Sequence, residues 1–181
     1  MPEAHFSGDA NVVGAMALAL GDRLRAATEE AAGLAGVLPA ALVSLHEFAG
    51  GRPIEVLAGA LRVTHSRAVR VVDQLQAEGL ARRGSDPADR RAVRVELTAT
   101  GRRRARRVAA ARATVLDEAL AGLSPDGRTA LAGLAATVLG ELAGSRLEAR
   151  QICRLCDVHA CGHDAGRCPV TNAVDAVEAA R

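Results

Sequence analysis

The chain has 181 residues, 49% of them apolar but only 1% aromatic, with two Phe and neither Trp nor Tyr. That length suits one domain, or one domain with an appendage, and its core must be built from Ala, Val and Leu. Stacking platforms for single-stranded bases are excluded, whereas a duplex read by helix and charge is not. The net charge of +2 hides an asymmetry: Ile54 to Arg107 holds thirteen arginines against six acids, a local +7 that leaves −5 for the rest. A basic middle in an acidic frame is the footprint of a phosphate-binding surface.

Residues 1–10 read as a flexible N-terminus. The longest charge-free apolar stretch near the start, Ala10 to Gly21, is too short to cross a bilayer and lacks a basic flank. A soluble, cytoplasmic protein with no membrane partner is expected. Val12, Val13, Met16, Leu20, Leu24, Ala27 and Ala31 recur at helical steps, predicting an amphipathic helix from Asn11 to about Leu34. Pro39 opens a shorter helix through Phe48, stopped by Gly50 and Gly51, and a third runs from Pro53 to about Leu61. Thr64 is a good N-cap for a fourth helix, His65 to Glu78, which Gly79 ends as a left-handed C-cap.

This third-and-fourth pair has the form of a helix-turn-helix, whose second helix lies in the major groove. Ala68, Val69, Val72 and Leu75 are expected inward, leaving His65, Ser66, Arg67, Arg70 and Gln74 outward. Arg forks onto guanine, Gln onto adenine, and Ser reaches phosphate or base. Leu80–Arg83 and Ala92–Leu97 then read as strands around a polar wing, Gly84 to Arg91. An arginine-bearing tip, Arg90 and Arg91, suits the narrow minor groove, with Asp89 close enough to hold Arg91 extended.

Thr98 caps a long helix to about Ala121 that begins with Arg102, Arg103, Arg104, Arg106 and Arg107. Cations there oppose the helix dipole, so the run makes sense if phosphates sit opposite. Ser124-Pro125-Asp126 starts the last long helix, expected to reach Arg150 with Leu131, Leu134, Val138, Leu139 and Leu142 on its apolar face. A short helix is expected from Asn172 to Ala180.

Cys153, Cys156, Cys161 and Cys168 are the chain's four cysteines, spaced C-x2-C-x4-C-x6-C and followed by Pro169, with His159 and His163 among them. Four soft ligands in one short loop suit a tetrahedral zinc or an iron–sulfur cluster. Redox thiols without metal, and free surface thiols, are the other readings. A single run ending in Cys-Pro leans toward iron–sulfur over zinc, whose knuckles pair C-x2-C units. The histidines are then surplus as ligands.

The stretch from Ile54, I-E-V-L-A-G-A-L-R-V-T-H-S-R-A-V-R-V-V-D-Q-L-Q-A-E-G-L-A-R-R, followed by D-P-A-D-R-R-A-V-R-V-E-L-T-A-T-G, resembles the winged helix-turn-helix of MarR-type transcription regulators. The resemblance covers about fifty residues and rests on D-x-L-x-x-x-G-L, D-x-R and L-T-x-x-G. It implies a mainly α fold with a short β-hairpin wing and long N- and C-terminal dimerisation helices. The domain would span 11–150, with a DNA-binding core at 53–101 and a cysteine-rich extension at 151–181. It also implies a homodimer on a pseudo-palindromic duplex, Asp89 and Arg91 as a wing pair, and Ser66, Arg67 and Arg70 facing DNA.

Two features depart from or stay silent on that pattern. Relatives that sense peroxides use a cysteine near the N-terminus, which this chain lacks, and no motif for a small-molecule ligand is legible. The cysteine box lies beyond the family motifs, as an extension expected to hang from a dimer helix and alter the spacing of the two heads. The expected function is a sequence-specific DNA-binding regulator, a repressor, responsive to metal or redox state. The competing class is an interaction module that sequesters a transcription partner, but it leaves the arginine wing unexplained. No carboxylate pair, activated nucleophile or phosphate-cradling loop points to an enzyme.

Overall fold

The computed structural model describes residues 7–85 and 93–180. Helix α1 (Gly8–Ala32) starts where the Ser7 hydroxyl accepts the Ala10 amide, and ends on Gly33 at φ +61°. Helix α2 (Leu38–Ser44) runs on into one π-helical turn, Leu45–Ala49. Helix α3 (Ile54–Leu61) and helix α4 (His65–Ala77) follow, joined through Arg62 at φ 53° and capped by Thr64, whose hydroxyl accepts the Arg67 amide. Strands β1 (Ala81–Ser85) and β2 (Val93–Leu97) pair antiparallel with Ala81 opposite Leu97. Helices α5 (Ala99–Ala119), α6 (Pro125–Leu142), α7 (Arg146–Ile152) and α8 (Pro169–Ala179) complete the chain, with 3-10 turns at Cys153–Leu155 and His163–Ala165. The architecture is a mainly helical winged helix-turn-helix with a two-stranded wing.

One core joins α2, α3, α4, the hairpin and the first half of α5. Leu42, Leu57, Val72, Leu75, Leu80, Val95 and Val108 are all fully buried in it. The L-T-A-T-G run explains itself at this junction. The Thr98 hydroxyl accepts the Gly101 amide and donates to the Gly79 carbonyl, tying the helix start to the end of the reading helix. A Cβ on Gly101 would fall 1.9 Å from the Leu80 carbonyl oxygen, so only glycine lets α5 approach that closely.

Several expectations need correction. The reading helix buries Val71 with Ala68, Val72 and Leu75, while Val69 is only half-buried. The expected single helix from Ser124 to Arg150 breaks at 143–145. There the Ser145 hydroxyl accepts the Glu148 amide and the two side chains bond to each other, making Ser145 the N-cap of α7. Arg104, read as a phosphate contact, instead donates to the Ala32 carbonyl at 3.1 Å. It thereby satisfies an otherwise unpaired acceptor at the end of α1. Helix α8 begins at Pro169 rather than Asn172 because Cys168 and Pro169 form a ready helix start.

The cysteine extension does pack on a long helix, α8 lying on α6, and it also reaches the head, which was not expected: α7 packs on α3, and the 153–155 turn packs on α2 and α3.

Candidate nucleic-acid interface and cysteine recess

Helix α4 exposes His65, Ser66, Arg67, Arg70 and Gln74. These share the face opposite Ala68, Val72 and Leu75 because the helical period leaves it free of the core. His65 also stands 3.2 Å from Glu55 on α3, and Ser66 lies within hydrogen-bond distance of the Thr64 hydroxyl. Arg102 and Arg103 are exposed at the start of α5, where Arg102 donates to the Leu97 carbonyl and Arg103 to the Thr100 hydroxyl. Asp89, Arg90 and Arg91 lie outside the described residues.

Two ties set the angle between reading helix and wing, and neither was read from the sequence. Arg83 on β1 donates to Asp73 and Gln76 on α4, each at 2.6 Å. The Gly51 amide donates to the Val95 carbonyl at 2.9 Å, and Pro53 bridges to Arg94. The segment between the π turn and α3 is therefore stitched to the root of the wing. An Arg facing an Asp ten residues back was a usable signal for the first tie; nothing local announces the second.

Two helices carry apolar side chains that no other described residue covers. On α1, Val12 is 67% exposed and Leu18 73%; on α6, Leu134 is 69% exposed, and no residue of that helix is buried. Contiguous apolar surface of this kind marks an interaction site. A cleft of about 620 Å³ also opens between α1 and α5, lined by Glu30, Arg104 and Arg107 with Ala27, Ala31 and Ala111.

All four cysteines, with His163 and Thr171, line a recess of about 360 Å³ whose opposite wall is Phe48, Arg52 and Val56 of the reading-head lobe. The thiols stand as two pairs. Cys153 and Cys156 bracket the first 3-10 turn, where the Cys156 amide donates to the Cys153 carbonyl at 2.9 Å, while Cys161 and Cys168 bracket the second, the Cys161 thiol donating to the Val158 carbonyl at 3.4 Å. Within the first pair the neighbouring Cys153 thiol holds Cys156 down to about 6 against the opposing effect of burial, with help from Arg112 and Arg154. Cys156 in turn, then burial, pushes Cys153 up. Burial also raises Cys161. At Cys168 burial is outweighed by hydrogen bonds from the Thr171 hydroxyl and the Thr171 and Val170 amides, which lower it. Among the described residues no three His, Cys, Asp or Glu side chains are placed to hold one metal ion.

No helix among the described residues is long and apolar enough to cross a membrane. A model of the MarR family matches residues 39–92, the stretch from α2 through the reading helix into the wing. A probable transcriptional regulator from Pseudomonas aeruginosa is 30% identical, with 70% of this chain and 96% of that one covered and a TM-score of 0.55. CouR from Rhodococcus jostii, solved with p-coumaroyl-CoA bound, is 25% identical over 71% of this chain and 90% of its own, with a TM-score of 0.58. A mutant of MepR from S. aureus, bound to an oligodeoxyribonucleotide, is 16% identical over 76% of this chain and 99% of its own; at a TM-score of 0.54 it shares the fold. Comparison with curated proteins gives no match.

Proposed function

The chain belongs to the MarR family of DNA-binding transcription regulators, and from that premise we propose that it is a repressor acting as a homodimer on a pseudo-palindromic duplex. The observation that carries this reading is the exposed row Ser66, Arg67, Arg70 and Gln74 on a helix whose other face is locked into the core. Arg102 and Arg103 on α5 extend the basic surface to flanking phosphates, and the wing residues Asp89, Arg90 and Arg91 are assigned to the minor groove on sequence grounds.

The uncovered apolar faces of α1 and α6 favour a second copy of the chain as partner. Burying residues such as Leu134 on each partner stabilises association by about 25 cal/mol for each Å² of apolar surface removed from water. Two heads in a symmetric dimer reach half-sites about one helical turn apart. The α1–α5 cleft, whose wall sets Arg104 and Arg107 beside Glu30 and Glu118, is assigned to a small-molecule effector. The role is binding rather than catalysis, in a cytoplasmic setting.

Selection from random duplexes followed by footprinting tests the reading. Two symmetric protected half-sites are expected, and Arg67→Ala should cost about 1–3 kcal/mol at the contacted base pair. Uniform protection of any sequence, unaltered by that substitution, would refute it.

A further inference from the structure

Three observations in the C-terminal lobe converge on a ligand. Its buried set is Ala143, Cys168, Val170 and Val174, with Cys153 and Cys161 among the side chains packed against it, so three of the four thiols belong to the small core itself, where a cross-link would reinforce it. The four thiols open on one recess as two pairs, whereas a single tetrahedral zinc would draw all four onto a point. The recess wall contains Arg52 and Arg150, with Arg146 already paired to Asp175 and Glu178 behind it, and no carboxylate lines it, which suits a group that becomes anionic once four thiolates are bound to it.

We propose that this recess holds a two-iron, two-sulfide cluster, with Cys153 and Cys156 on one iron and Cys161 and Cys168 on the other. We further infer that its presence sets the DNA affinity of the reading head in the same protomer. A two-iron cluster takes two protein ligands per iron, so it needs no three-donor group.

The route to DNA is short. The Glu47 carboxylate accepts the Val158 amide at 3.1 Å, and the buried Ser44 hydroxyl donates to the Arg154 carbonyl at 3.1 Å. Leu155, one residue before Cys156, packs into the core of the head. Leu147 of α7 closes on Gly59 of α3, where a Cβ would meet its Cδ1 at 2.8 Å. Phe48 and Val56 flank, and Arg52 belongs to, the 49–54 segment that is hydrogen-bonded to β2, so a change in the recess wall shifts the wing root directly. This second half rests on the DNA-binding reading; the cluster itself does not.

The test uses the full chain, purified without oxygen or reconstituted with ferrous iron and sulfide. Brown protein with about two irons and two labile sulfides per chain is expected, with both lost in Cys161→Ser and Cys168→Ser. Loaded and chelator-stripped protein should differ in affinity for a selected duplex by at least about fivefold. Glu47→Ala should keep iron and sulfide while losing most of that difference. Colourless protein holding zinc, or no metal after reconstitution, overturns the cluster. Full iron content with equal DNA affinity, loaded and stripped, overturns the coupling. If neither form binds any duplex, the regulator reading fails and the coupling with it, while iron and sulfide content still decides the cluster.

Discussion

The reading head and the cysteine lobe are built on opposite plans. The head closes one continuous core from α2 to α5, with Leu42, Leu57, Leu75, Leu80 and Val108 each fully buried. The cysteine lobe buries four residues and surrounds them with thiols and arginines. Apolar burial alone can hold the first, since each large side chain removed from water contributes about 1.5–3 kcal/mol. The second is held in addition by its seams with α6 and with the head. The contrast teaches where to look for each part of the function: a continuously packed head that presents the DNA surface, and beside it a thiol-lined lobe to which the proposed cluster is assigned.

The contrast is easiest to break from the head. Gly101→Ala drives a methyl into the Leu80 carbonyl and should cost about 3 kcal/mol or more, seen as a shifted urea midpoint for the whole molecule. Val174→Ala empties the centre of the small lobe and should cost about 2 kcal/mol, but locally. Limited proteolysis between Cys153 and Cys168 should speed up while the main urea transition stays put; a matching shift of the main transition would mean the two lobes unfold as one. Ser44→Ala removes one hydrogen bond across the seam and should cost about 1 kcal/mol. Hydrogen exchange should rise on both sides of that seam, and an unchanged exchange pattern would show that the seam does not rely on this bond.

Much of the head was legible because its signals are local. Thr64, Thr98 and Ser124 each cap a helix through the expected hydroxyl, and Gly79 takes the expected positive φ. The outward row on α4 follows from period alone. Val69 and Val71 were confused because both flank the buried stripe, and which flank is covered is decided by tertiary packing: Val71 is buried and Val69 half-buried. The break before α7 did carry a sign, Ser145 followed three residues later by Glu148, a capping box. The apolar run through Leu139 and Leu142 masked it.

What could not be read is tertiary. Arg104 looks like its neighbours in the sequence, and only the proximity of the α1 terminus gives it a carbonyl to satisfy. The docking of the cysteine lobe on α2 and α3 depends on Glu47, Ser44 and Gly59 meeting residues about ninety to a hundred and ten positions away. No periodicity encodes such a meeting. The thiol spacing named four candidate ligands, but their division into two pairs follows from the fold.

The affinity of the purified protein for a selected duplex across a salt series tests the account most directly. Because arginines on α4, α5 and the wing would release counterions from phosphates, log affinity should fall linearly with log salt, by about 0.9 for each phosphate contacted. Arg102→Ala should reduce that slope by about one unit. An affinity indifferent to salt would contradict the assignment of this surface to DNA.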